Sequence, residues 1–433
     1  MVFVGRNGCG SVTKSLVLLC WLSIGSLPQA LAQTATLAEP RESLAGERAA
    51  RELGRSLTNE DYNIHLGQVR FQTQARLGAA YTDNVFLSGI NKKDDFIINP
   101  EIDLATLLPV GQFNSLRLSV GLSYEWFAKN HSLNSDVPLV SPDSELAFYL
   151  FIKDFRIKLH DKFSYQQTLV FDEQNGDQVR LFNFNDVGRF DRLDNFVGPT
   201  IDWDLNKVVL TLSYDHENFI ATTERFKYLD RGSEWLALTA NYLLGDRTKA
   251  GLEGLGSYHN YDTETVLNDN WRGRFGPFAE IRLPKGLVAR AGGGYEMARF
   301  DSAGSESDYD HWYAYGKLSQ ETKWFTHSIG AGHETLLGDN ANNLRTTYLR
   351  YSITTDAIRD IPIEGYLSAN FSREFGGGFE EKFIHYLAGC RVGYQFHKYW
   401  RADLGYEMFY KDSEFSERTF HRNRVSLDLA FKF

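Results

Sequence analysis

From residue 67 to the C-terminus the chain alternates between apolar and polar positions with a period of two, segment after segment. In the last segment Val425, Leu427, Leu429, Phe431 and Phe433 share one face, and Ser426, Asp428, Ala430 and Lys432 share the other. Residues 399–410 repeat the pattern, with Trp400, Ala402, Leu404, Tyr406 and Met408 opposite Arg401, Asp403, Gly405 and Glu407. Alternation of this kind, with charge on the second face, predicts half-buried strands. About 18 segments qualify: 69–81, 96–108, 115–127, 144–153, 156–166, 192–204, 207–219, 232–244, 248–261, 270–283, 287–300, 310–321, 325–336, 344–355, 361–374, 382–396, 399–410 and 423–433. Segments 144–153 and 325–336 alternate poorly, which leaves 16 strands open. Asp161 falls on the apolar face of its segment, and strict parity accommodates it only through a bulge or a register shift.

The connections sort by length. Tight turns such as Asp154-Phe155, Gly245-Asp246-Arg247, Pro284-Lys285-Gly286 and His397-Lys398 alternate with long polar loops, among them 128–142, 168–190, 262–269, 301–310 and 411–422. Short turns on one side and long loops on the other are the pattern of outer-membrane barrels. Tryptophans sit at segment ends: Trp203, Trp324 and Trp400 beside tight turns, Trp126, Trp235, Trp271 and Trp312 toward the long loops. Two aromatic girdles at two headgroup levels follow. The fold class expected is therefore all-β, a single transmembrane antiparallel up-and-down β-barrel with both ends in the periplasm. A sheet of 16 to 18 strands is too wide for side chains to fill, so an aqueous lumen is expected. Loop 168–190 is the longest, and its Phe171, Phe182, Phe184 and Phe190 would be costly to leave in water; it is the expected plug.

Composition narrows the reading without changing it. Aromatics make up 14% of the 433 residues, with 31 Phe and 22 Tyr against 3 Met, a mix that favours strands. Mean hydropathy is −0.36, and after residue 33 no apolar run is long enough for a spanning helix. Residues 1–32 read as a secretory signal, with Arg6 and Lys14 before an apolar run and Ala30-Leu31-Ala32 as the cleavage site. Residues 33–66 read as a short periplasmic helix or disordered tail, or else as a docking arm for a periplasmic partner. Cys390 is the one cysteine outside the signal, so no disulfide framework is expected. A net charge of −10 without a basic patch excludes nucleic acid as a partner class.

Parity assigns the lumen wall. Its densest basic cluster is Arg272, Arg274, Arg282 and Arg290, and Arg350, Arg401, Asp403 and Glu407 also point inward. Arginine ladders select anions in pores, which suggests a conduit for an acidic solute. The alternative is scaffolding, with the arginines paired to Glu280 and Glu296. The 11 His residues show no ligand spacing, the Asp-rich loop 301–310 reads as a solvated tip, and no Ser/His/acid constellation stands out. Neither an enzyme, a cofactor nor a metal is expected. Phe431 and Phe433, closing the chain on an aromatic, are the expected signal to the barrel insertion machinery.

The stretch Tyr81-Thr82-Asp83-Asn84-Val85-Phe86-Leu87-Ser88 resembles the opening signature of the family called putative β-barrel porin 2, through Tyr81, Asp83, Asn84 and Phe86. The resemblance implies an outer-membrane protein of exopolysaccharide or exosortase-associated gene clusters, covering about residues 67–433. Three functions then compete. The first is a conduit in secretion of an exopolysaccharide, with polysaccharide and periplasmic export proteins as partners. The alternative is a passive or solute-selective diffusion porin for nutrient uptake. The third is a structural or adhesive protein. All three share outer-membrane lipid and lipopolysaccharide as surroundings.

Overall fold

The computed structural model describes Tyr62 and residues 64–432, apart from 169, 174–177, 246, 302–306, 356 and 359–360; of 170–173 and 178–181 only the backbone is described. The expected signal peptide, most of the N-terminal segment, Phe171 and Phe433 lie outside the described residues. Eighteen strands form the wall: β1 Val69–Thr82, β2 Asp95–Val110, β3 Asn114–Ser123, β4 Glu145–Ile152, β5 Phe155–Gln166, β6 Arg192–Asp204, β7 Val208–Ala221, β8 Arg231–Gly245, β9 Thr248–Tyr261, β10 Asn270–Leu283, β11 Leu287–Phe300, β12 Tyr309–Glu321, β13 Phe325–Leu337, β14 Asn343–Thr355, β15 Ile363–Phe375, β16 Glu381–His397, β17 Trp400–Ser413 and β18 Phe420–Lys432. Each pairs antiparallel with its chain neighbours, and β1 pairs with β18 from Gln74↔Lys432 to Thr82↔Arg424, closing the sheet. Closure leaves no free edge along the span of the wall, where the ladder hydrogen bonds are made between neighbouring strands. Among the described residues no helix is long and apolar enough to cross a membrane.

Alternation translates directly into the two faces. Leu77, Ile102, Phe275, Leu367, Leu404 and Leu427 are each more than half exposed, because they point outward. Their strand neighbours, such as Asp403 and Arg272, point inward and are buried. On the outer face Trp126, Trp271 and Trp312 lie near the long loops and Trp203 and Trp324 near the turns, giving the two girdles. Trp235 departs from the expectation. It faces the lumen, where its indole N–H donates to Glu217 Oε2 at 2.8 Å and its ring meets His259 edge-on at 4.9 Å.

Asp161 also departs from it. Registers run unbroken through Leu146↔Asp161 and Val197↔Asp161, so there is no bulge. The carboxylate points outward and accepts a hydrogen bond from Asn195 Nδ2 at 2.7 Å. The two poorly alternating segments are both wall strands, and each has a local reason. The strand β4 is short, its outer end continued by the separate strand Leu139–Val140. The outer end of β13 leaves its neighbour, with β12–β13 pairing ending at Ala314↔His333. Beyond that point the Thr335 N–H and hydroxyl donate instead to Glu296, at 3.2 and 2.6 Å.

Pairing also begins slightly before residue 67, since Ile64–Leu66 forms a hairpin with the start of β1. Tyr62 is buried against the inward-facing Leu107 of β2.

Candidate functional site: the extracellular mouth and the lumen beneath it

The loop between β5 and β6 folds into the barrel. Its Phe182, Phe184, Val187 and Phe190 are buried in a cluster with the wall residues Phe219, Leu387 and Phe409 and the loop residues Phe226, Leu229 and Leu267. Phe184 stacks on Phe226 at 4.4 Å and meets Phe190 edge-on at 5.2 Å. Such pairs add about 0.5–1.5 kcal/mol each beyond the area they bury. The sequence places these rings in a loop, and the hydrophobic effect draws them onto each other and the inner wall. The expected plug is present.

Polar contacts centred on Asn183 fix the plug to the far side of the ring. Its N–H donates to Asp339 Oδ2 at 2.8 Å. Its side-chain amide donates to Glu374 Oε2 on β15 at 2.7 Å and Glu381 Oε2 on β16 at 2.6 Å, while its amide oxygen accepts from the Lys411 ammonium on β17. Its carbonyl accepts from Asn340 and Arg418, at 2.6 and 2.7 Å. Lys411 and Glu381 form a fully buried ion pair at 2.8 Å, and Arg418 reaches the same carboxylate at 3.0 Å. Tyr228, in the loop between β7 and β8, donates to the Asp339 carbonyl at 3.1 Å, and burial pushes its hydroxyl well above the ordinary phenol range. None of these residues stands out in the sequence; the contacts of Asn183 join positions 156 to 235 residues apart, and no periodicity marks them.

Beneath the plug lies a cavity of about 200 Å³ whose charged lining is Arg231, Arg272 and Arg274 against Asp194, Glu217, Glu296, Glu334 and Asp339. Every inward arginine of the expected cluster is engaged. Arg272 is saturated by neutral acceptors: it donates to Asn270, the Leu336 and Asn342 carbonyls and Asn343 at 2.7 to 3.1 Å. It therefore pins the β13–β14 loop. Arg274 pairs with Glu334 at 3.1 Å, and Glu296, the expected partner, is taken by Thr335. Arg290 lies 3.7 Å from Glu253 and rests against the Tyr315 and Phe278 rings.

Arg282, near the periplasmic turn, is half exposed and 3.9 Å from Glu280, which Lys249 also approaches at 3.5 Å. The four are thus not one site, but two at the outer cavity, one at mid-height and one toward the periplasm. Arg350 stacks on Tyr348 at 4.1 Å. Arg401 pairs with Asp403 at 2.5 Å, and Glu407 holds Arg422 and accepts from Tyr366 at 3.1 Å.

The Tyr81–Ser88 motif lies elsewhere, at the seam. Asp83 accepts from the Asn423 N–H and side-chain amide at 2.7 and 2.6 Å, tying β1 to β18. Asn84, fully buried, donates to the Ser88 and His421 carbonyls and accepts from the Ser88 N–H at 3.0 Å. Tyr81 packs outward on Phe96 at 5.0 Å, and Phe86 packs on the cluster of Val85, Phe127 and Leu133. These four residues clasp the first loop over the closure. Phe431, on the lipid face, packs on Trp400 at 4.5 Å.

No family model and no curated protein matches the chain. Among solved structures it is similar in outline to OpdK from Pseudomonas aeruginosa, at 13% identity over 84% of this chain and 99% of that one, with a TM-score of 0.46. OccK2 (OpdF) from Pseudomonas aeruginosa in complex with glucuronate matches at 11% identity over 85% and 99%, with a TM-score of 0.49. A BenF-like porin from Pseudomonas fluorescens Pf-5 matches at 11% over 84% and 99%, also at 0.49. The resemblance at Tyr81–Ser88 thus rests on those eight residues alone. The geometry of the chain itself carries the conclusion. A closed 18-stranded sheet with an apolar outer band, two aromatic girdles and a charged lumen is a bacterial outer-membrane β-barrel pore.

Proposed function

We propose that the protein is a passive, solute-selective diffusion channel for small polar solutes. One observation carries this reading: the β5–β6 loop, latched through Asn183, folds into the extracellular mouth beside a cavity of about 200 Å³ lined by charge of both signs. A small solute can exchange hydrogen bonds with such a wall, entering because binding is favourable and leaving because no single contact dominates. A polymer in transit needs a continuous wide path, which a loop buried in the mouth and hydrogen-bonded to Asp339, Glu374 and Glu381 opposes. The expectation of an exopolysaccharide conduit loses support on that ground, and so does membership of the porin 2 family as an argument for it. Engagement of every clustered arginine by a protein acceptor also removes the reason to demand an anionic cargo.

The test is liposome swelling with the full barrel, using monosaccharides, small carboxylates and oligosaccharides of increasing length. Small solutes should enter and long oligosaccharides should not. Deleting the gene should leave secreted polysaccharide unchanged. Passage of long oligosaccharides through the wild-type barrel, or loss of secreted polysaccharide on deletion, would reverse the assignment in favour of export.

A further inference from the structure

The lipid face carries one arrangement that folding alone does not favour. On β14, β15 and β16 the registers place Arg345 directly opposite Arg373, and Arg373 directly opposite Lys382. Like charges opposed across a ladder destabilise it, and here two such pairs stand side by side over roughly 10 Å, two interstrand spacings. All three side chains point outward, away from the lumen. Among the described residues neither Arg345 nor Lys382 has an ion-pair partner, and the Arg345 Nε is buried without an acceptor. Arg373 is paired only at the rim, with the exposed Glu380 at 2.9 Å.

Immediately below, two residues or about 7 Å toward the bilayer centre, the same face turns apolar, with Phe371 opposite Ile384. Leu349 and Tyr386 continue it. Trp312, stacked on His333 at 4.4 Å on the adjoining wall, marks the girdle at this level. A groove of about 530 Å³ runs across the three cations and the apolar residues beneath them. Its far edge is acidic, with Asp412 and with Glu414, whose carboxylate accepts the Lys382 main-chain N–H at 2.8 Å.

We propose that Arg345, Arg373 and Lys382 bind the phosphorylated sugar headgroup of an outer-leaflet glycolipid of the lipopolysaccharide type, with its acyl chains lying along Phe371, Ile384 and Leu349. The chemistry selects this occupant. A phosphate supplies an ion-pair partner to Arg345 and Lys382, which have none among the described residues although Glu414 lies across from Lys382, and guanidinium groups bind phosphate in a bidentate fork. The apolar surface directly below calls for a ligand whose anionic head and hydrocarbon tail are continuous. The row lies at the end of the strands that carries the long loops, the end that faces the outer leaflet.

The experiment uses the purified full chain in detergent. Thermal unfolding is followed on titration with lipopolysaccharide, enzymatically dephosphorylated lipopolysaccharide, phosphatidylglycerol and inorganic phosphate. Phosphorylated lipopolysaccharide should raise the melting temperature of the wild type and bind at least tenfold more weakly to the triple variant Arg345→Gln, Arg373→Gln, Lys382→Gln. Dephosphorylated lipid, phosphatidylglycerol and inorganic phosphate should shift it far less. Without lipid the triple variant should melt no lower than the wild type, since it loses the repulsion. The single variant Lys382→Gln provides an intermediate measurement with minimal change to the fold. Equal lipopolysaccharide affinity of wild type and variants would overturn the proposal. So would an equal response to inorganic phosphate or to phosphatidylglycerol, or a lipid-free triple variant less stable than the wild type.

Discussion

The outer and periplasmic halves of the lumen are built from the same alternating strands yet are held together differently. Toward the periplasm, inward charges pair with near neighbours: Arg401 with Asp403 on one strand, Arg76 with Glu101 on the adjacent one at 2.6 Å. Toward the outside, the contacts reach across the ring, from Asn183 to Glu374, Glu381 and Lys411, and they are dry. Local pairs between near neighbours can break without consequence for the rest of the barrel. A dry latch closes a loop whose ordering cost it must offset, so its parts depend on one another. The outer half is therefore where a single side chain can change what the channel admits.

The strongest test of that contrast is Lys411→Met. Breaking a fully buried pair costs about 3–5 kcal/mol when the remaining charge is left alone; here Arg418 stays 3.0 Å from Glu381, which places the expected loss toward the lower end of that range. The barrel wall is closed by its own ladders, so the loop should respond by detaching. Expected outcomes are a higher single-channel conductance and new tryptic cleavage at Arg180 or Arg189, with heat-modifiable migration of the barrel retained. A resistant loop with unaltered conductance would show that the aromatic cluster holds the plug without the polar latch.

A slightly smaller effect tests the two faces of one strand. Leu427 points to lipid and is 56% exposed, while Asp428 points to the lumen. Leu427→Arg should cost about 2–4 kcal/mol if it lies near the midplane, and Asp428→Arg much less, as read from chemical unfolding in lipid vesicles. Equal losses would mean that the apolar band does not contact hydrocarbon at this strand.

The wall was legible in the sequence and the plug only partly so, for a physical reason. A bilayer outside and water inside impose a two-residue period on every strand, so parity finds the faces of Leu427 and Arg272 alike. Parity holds even at Trp235 and Asp161, and it is the residue type that misleads there: a hydrogen bond, to Glu217 or from Asn195, satisfies a group on the face that composition would deny it. The four phenylalanine positions of the long loop flagged burial, because exposed aromatic clusters are costly in water. Asn183 did not, since its six partners come from segments distant in sequence. The Tyr81–Ser88 stretch was recognisable as a motif, while its work at the β1–β18 seam is visible only once the last strand is placed beside the first.

The smallest expected effect lies in the periplasmic half. Arg401 donates through Nε and a terminal nitrogen to Asp403 Oδ1, at 2.8 and 2.5 Å, and the two residues are separated by one position on the same strand. The pair is local and largely shielded from water, so its loss should exceed the about 0–1 kcal/mol of an exposed pair, and Arg401→Gln should lower the melting temperature slightly and by less than Lys411→Met. Its consequence should be electrical. Asp403 remains inward with its countercharge gone, next to the inward Asp428 opposite it on β18. The wall there becomes more negative, and reversal potentials across a planar bilayer under a salt gradient should move toward cation selectivity. Conductance should stay near the wild-type value, because the substitution leaves the latched loop at the mouth in place. If Arg401→Gln instead lowers stability as much as Lys411→Met, the periplasmic wall is as interdependent as the plug and the contrast between the halves fails.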